Sequence, residues 1–160
     1  MTLRYVYGHD EIVARFVAQM IPHIRDHANA MGNCKTIGVI DGDGKLIAGL
    51  VYHAYDPPAG RIEITGAALP KSRWLTRETI RRMYRYPFDE IGVQMVVQHT
   101  PADNEELLEQ LARGGYMFVH YPRMYGRHRD GVICLLTAEE WARNPINQRI
   151  NRDAEIKEAA

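Results

Sequence analysis

Residues 70 to 80 read Pro70-Lys-Ser-Arg-Trp-Leu-Thr-Arg-Glu78-Thr-Ile, and they follow an alternating, β-rich run from Arg61 to Leu69. The period changes at Pro70. Ile80, Met83, Tyr84 and Phe88 are spaced as on a helix that begins near Leu75, and Pro87 should end or distort it. A strand therefore leads through a loop into a helix whose first amides point to the top of a sheet. Free N–H groups and the positive end of the dipole make an anion site there, and Lys71 and Arg73 add charge at its mouth. A pyrophosphate suits such a place.

Upstream, Leu3 to Tyr7 reads as a strand, and Ile12, Val13, Phe16, Val17, Met20, Ile21 and Ile24 recur at helical spacing. Pro22 should kink or split that helix, and a second short one is expected to run toward Met31. Thr36 to Ile40 and Leu46 to Tyr55 flank Asp41-Gly42-Asp43-Gly44, a hairpin turn, and Asp56-Pro57-Pro58-Ala59-Gly60 forms a second loop before Arg61. Downstream come a strand over Val93 to Gln98, a helix with the stripe Leu107, Leu108 and Leu111 closed by Gly114-Gly115, and strands over Tyr116 to Tyr121 and Val132 to Thr137. The order β-α(α)-β-β-β-α-β-α-β-β predicts an α+β fold with a mixed, mostly antiparallel central sheet and helices on both faces. Residues 1–141 form one domain in this reading, and 142–160 a polar C-terminal tail with loose order.

Composition narrows the function classes. The 160 residues are 46% hydrophobic and 25% charged, and 20 Lys+Arg balance 20 Asp+Glu. That is an ordinary globular domain able to bury a core without staples. Net neutrality argues against nucleic acid as a partner, because a general nucleic-acid binder has a pI above about 9. Cys34 and Cys134 lie far apart without C-x-x-C spacing and read as small apolar residues. Met1 to Ile12 has no apolar leader core, and no run approaches the roughly 18 apolar residues of a membrane span. A soluble, cytoplasmic protein without a membrane partner is expected.

Several motifs fail on chemistry. A calcium loop opening at Asp41 would need Glu at its twelfth position, which is Tyr52. Gly42-x-Gly44 lacks a third glycine, and no G-x-x-x-x-G-K exists in the chain. His23 and His27 sit four apart but without the Glu of H-E-x-x-H, so no metal is expected. Ser72, the only serine, has no G-x-S-x-G around it.

Glu78, Phe88 ten residues on, Ile91-Gly92, and Asn104 eleven before Gly115-Tyr116 form a spaced set inside this element order. The set is similar to the GNAT superfamily of acyl-CoA-dependent N-acetyltransferases. It resembles most the branch that acetylates ribosomal-protein N-termini, to which Asp130-Gly131 and the Glu139-Glu140-Trp141 ending also look alike. The resemblance implies a V-shaped opening between the strands Arg61 to Leu69 and Val93 to Gln98, with acetyl-CoA as co-substrate between them. It implies acyl and pantetheine binding by amides around Ala68 and Leu69, a pyrophosphate cradle over Lys71, Arg73, Trp74, Leu75, Thr76 and Arg77, and a pantetheine contact from Asn104. The reaction it implies is acetyl transfer to a primary amine of a small molecule or protein.

This chain departs from the pattern at identifiable positions. The phosphate motif Q/R-x-x-G-x-G/A falls on Lys71, Trp74 and Thr76, and the family's thiolate proton donors fall on Leu107 and Leu111. A catalytically inactive GNAT-fold binding or structural module is therefore the alternative. For catalysis the candidates are Glu63 as base, on the face of its strand opposite Ile62 and Ile64, His99 or His53 for proton transfer, and Tyr121 or Tyr125 as acid. Each also reads as an ordinary structural side chain. The acceptor and the oligomeric state, a homodimer included, carry no legible code.

Overall fold

The computed structural model describes residues 2–25 and 31–160. Its strands are β1 (Arg4–Tyr7), β2 (Cys34–Ile40), β3 (Leu46–Asp56), β4 (Arg61–Ala68), β5 (Met95–Pro101), β6 (Met117–Tyr121) and β7 (Gly131–Thr137). Its helices are α1 (Asp10–Gln19), α2 (Arg77–Tyr84), α3 (Glu105–Arg113), α4 (Ala138–Arg143) and α5 (Pro145–Ala159). The strands form a seven-stranded sheet in the order β1-β2-β3-β4-β5-β7-β6. Every neighbouring pair is antiparallel except β4 with β5. This is the mixed, mostly antiparallel α+β sheet expected from the sequence.

Local chemistry sets the boundaries. Asp41 Oδ1 accepts the amides of Asp43 and Lys45 at 3.0 and 2.9 Å, and Gly44 takes φ +84°, which closes the β2–β3 hairpin. Helix α2 starts at Arg77, two residues later than the periodicity suggests, because Thr76 Oγ1 accepts the Thr79 amide at 3.2 Å and caps it. Pro87 turns its continuation into a π-helical segment, Arg85–Ile91, ended by Gly92 at φ 80°. Helix α1 ends before Pro22 and gives way to turns. The second short helix expected toward Met31 falls largely on residues outside the described ones.

The sheet carries helices on both faces. On one, Val13 and Val17 of α1 pack against Val51 and lie close over two glycines, Gly38 and Gly49. On the other, Leu50, Tyr52, Ile62, Ile64, Val96, Cys134 and Leu136 meet Met83, Tyr84, Leu111, Tyr116 and Trp141. Tyr52 donates to the Met83 carbonyl at 2.6 Å, and Gln98, Tyr116 and Tyr84 form a buried hydrogen-bonded chain.

The expectation of a loose tail needs correction. Asn144 caps α5 by accepting the Ile146 amide at 2.8 Å, and Pro145 occupies the first turn. Ile150 is buried, and Asp153 and Glu158 reach Arg77 and Arg81 at 2.6 and 3.8 Å. A helix with so few apolar residues is fixed by its cap and by its neighbour α2, neither of which shows as periodicity. No helix among the described residues is long and apolar enough to cross a membrane.

Candidate functional site

Strands β4 and β5 pair only over Arg61–Glu63 against Met95–Val97. Beyond that they part, because β4 stays with β3 as far as Ala68 and β5 stays with β7 as far as Pro101. The opening holds a cavity of about 550 Å³ lined by Thr65, Gly66, Ala67 and Ala68 on one side and Gln98, His99 and Thr100 on the other. Successive residues of a strand face opposite sides of the sheet, so the cavity passes through it.

The hydrogen-bond register decides which backbone groups face this opening. The Leu69 amide donates to the Ile47 carbonyl at 2.8 Å, which makes that pair, and every second pair before it, the bonded ones toward β3. The amides of Gly66 and Ala68 then turn to the other edge, into the opening. Of the two residues expected there, Ala68 turns its amide to the opening, whereas the Leu69 amide is engaged by the Ile47 carbonyl. Gly66 had no sequence signal beyond being a glycine in a strand.

Glu63 sits where the strands separate. Its Oε2 lies 3.4 Å from Nδ1 of His99 on β5 and 3.9 Å from Nε2 of His53 on β3. His53 faces Glu63 directly across the β3–β4 pair, and its Nε2 lies 2.8 Å from Thr65 Oγ1. Burial lowers the His53 pKa from its ordinary value, the Glu63 carboxylate opposes this, and His99 reinforces it. A neutral imidazole beside a carboxylate can pass a proton along. A bulge follows His53, where Ala54 adopts φ 50°.

A second cavity of about 430 Å³ lies on the sheet face that α1 covers farther along. Glu63 and His99 stand in it beside Met95, Val97, Val119, Ile133 and Leu135. His99 lines both cavities, so they adjoin at the Glu63 cluster.

The remaining sequence candidates separate. Tyr121 lies on the edge strand β6, 49% exposed, and lines neither cavity, so it is not placed to donate a proton there. Tyr125 packs against His23 with ring centroids 4.6 Å apart and the planes tilted by 56°, and His23 lines the through-sheet cavity. Burial raises the Tyr125 pKa first, Cys134 and Glu63 add to this, and Arg129 opposes it. His27 lies outside the described residues, so its pairing with His23 is not placed. Asn104 lines the cavity while its Oδ1 caps α3 at 3.4 Å from the Leu107 amide. Leu107 lines the same cavity, and Leu111 is buried.

In the loop before α2, Trp74 does not stand in the mouth. Its half-buried ring packs with Val39, Ile47 and Ala48, and its carbonyl accepts the Thr76 amide and the Thr79 hydroxyl at 2.9 and 2.5 Å. Lys71 takes φ +62°, the left-handed turn that a glycine would usually supply. Leu75 is exposed and Thr76 is spent on the cap. Arg77 pairs with Asp153, Arg81 and Arg82 with Glu78, and Arg85 with Glu90. Lys71 and Arg73 enter no ion pair among the described residues. The cationic stretch is thus mostly neutralised, and two charges stand beside the helix entrance.

No protein-family model and no curated protein sequence matches the chain. Solved structures do. Mutant forms of the spermidine/spermine N-acetyltransferase SpeG from Vibrio cholerae superpose with a TM-score of 0.70 at 14% identity, covering 90% of this chain and 99% of that one. A dodecameric structure of spermidine N-acetyltransferase from Vibrio cholerae gives 0.68 at 15% identity, covering 90% and 97%. Over nine-tenths of its length, with the parted β4 and β5 at its centre, the chain shares the fold of these solved structures.

Proposed function

We propose that the chain is an N-acyltransferase that moves an acetyl group from acetyl-CoA to a primary amine. One observation carries this reading: a through-sheet cavity and a surface groove share His99, and the Glu63 carboxylate stands in the groove 3.4 Å from it. The residues present fit the donor. The Gly66 and Ala68 amides face the opening and suit the acyl oxygen and pantetheine, Asn104 on the cavity wall suits the pantetheine arm, and the α2 N-terminus with Lys71 and Arg73 suits the pyrophosphate. Arg77 contributes less than the sequence suggests, because Asp153 holds it.

Acetyl-CoA supplies a carbonyl activated as a thioester. The amine nitrogen attacks it, an N–C bond forms and the C–S bond breaks. Glu63, with His99 and His53 beside it, takes the proton lost by the amine. The thiolate gains its proton from solvent, a step an ordinary thiol pKa near 8.5 permits without a dedicated acid. Leu107 and Leu111 offer none.

The alternative, a binding module without catalysis, rests on those two leucines. Free-thiol release from acetyl-CoA with a panel of primary amines separates the readings. The transferase reading expects turnover that Glu63→Gln lowers by about 10²-fold or more. Absence of turnover with every amine contradicts it.

A further inference from the structure

We infer that the acceptor is a small primary amine carried on an apolar group, seated in the groove beside Glu63 and His99; this rests on the transferase reading above. The groove's walls are apolar side chains from three strands: Met95 and Val97 of β5, Val119 of β6, and Ile133 and Leu135 of β7. All five face one side of the sheet, because Val97 is opposite Leu135 and Val119 is opposite Ile133 in the ladders. Val119 is 44% exposed, so its surface is available to a ligand. At the inner end stands a carboxylate, Glu63, and at the rim a single cation, Arg61.

This distribution selects the ligand by charge and by surface. One carboxylate matches one ammonium group, which must also lie next to the base to be acylated. A polyamine would bring further ammonium groups onto Val119, Ile133 and Leu135, where no acid lines the wall to receive them, and desolvating them there is costly. The apolar wall instead gains from covering by an alkyl or aromatic group. A volume of about 430 Å³ is within the range of small-molecule sites. The structural neighbours named for spermidine share this fold, and the groove of this chain points to another amine.

The test is equilibrium binding to the full chain, without acetyl-CoA, of phenethylamine, spermidine and a tetrapeptide with N-terminal Phe, followed by calorimetry or ligand-observed NMR. Phenethylamine is expected to bind at least about tenfold more tightly than spermidine, the difference a buried phenyl group supplies. Val119→Asp, at an exposed position, should weaken phenethylamine by about tenfold and narrow or invert the preference. Tighter binding of spermidine, an unchanged preference in Val119→Asp, or stronger binding of the tetrapeptide than of phenethylamine would overturn the inference. So would a wild-type dimer that Val119→Asp dissociates in sedimentation, since the groove would then be an interface between copies. A parallel titration with acetyl-CoA keeps the two readings apart. Phenethylamine binding without acetyl-CoA binding supports the groove assignment and defeats the transferase reading.

Discussion

The Glu63 carboxylate lies 3.4 Å from Nδ1 of His99, across the point at which β4 and β5 cease to pair. Two strands that run parallel for three residues and then part bring together an acid and an imidazole, remote in sequence, and the imidazole lines both cavities. His53 completes the cluster from the third strand.

Replacement of Glu63 by Gln keeps shape and removes the base. Acetyl-transfer kcat is expected to fall by about 10²-fold to 10⁴-fold, with acetyl-CoA affinity within about twofold of wild type. An equal loss in acetyl-CoA binding would show Glu63 to be structural.

His53 gives the cluster a pH dependence of definite sign. Its folded pKa lies below the ordinary 6.5 because burial disfavours the imidazolium. Between 6.5 and that lower value the unfolded chain holds the extra proton, so stability is fully present above about 6.5 and declines as pH falls through the folded pKa. Urea midpoints at pH 7.5 and pH 5.5 should differ in that direction, and His53→Gln should reduce the difference.

Much of this architecture is legible in the residues themselves. The hairpin at Asp41, the change of period at Pro70 and the closing glycines after α3 each rest on local chemistry, and local chemistry is what a sequence displays. The C-terminal helix was not, because its cap at Asn144 and its ion pairs with Arg77 and Arg81 are tertiary facts. Glu63 and His99 were visible as candidates on alternating strands; their approach depends on the β4–β5 pairing, which no local pattern encodes. Leu69 and Gly66 changed roles for a subtler reason. Which amide of a strand faces an opening depends on the bonded register, set here by Leu69 with Ile47.

The loop cations divide by their partners. Lys71→Ala and Arg73→Ala should each weaken acetyl-CoA binding a few-fold, and more at low salt, as screened charges near a phosphate do. Arg82→Ala, whose guanidinium is held by Glu78 and Tyr7 and lies over the Tyr5 ring, should leave that affinity unchanged. Calorimetric titrations at two ionic strengths check both.

Close approach of α1 to the sheet requires a bare backbone at Gly49. A Cβ there would meet Val17 Cγ2 at 2.7 Å and Val13 Cγ1 at 2.8 Å. Gly49→Ala should destabilise the fold by about 1–3 kcal/mol through overpacking, measured by denaturant unfolding.

At Ala54 the backbone sits at φ 50°, where a Cβ is unfavourable by about 1–2 kcal/mol. Ala54→Gly should raise stability by a few tenths to about 1 kcal/mol, the unfolded-state entropy of glycine offsetting part of the gain. Thermal melts of the two proteins at one pH decide it.

The central claim is that the gap between β4 and β5 holds an acyl-CoA, and calorimetric titration of the full chain with acetyl-CoA tests it most directly. Saturable binding at one site per chain is expected. Absence of binding at millimolar acetyl-CoA would contradict it.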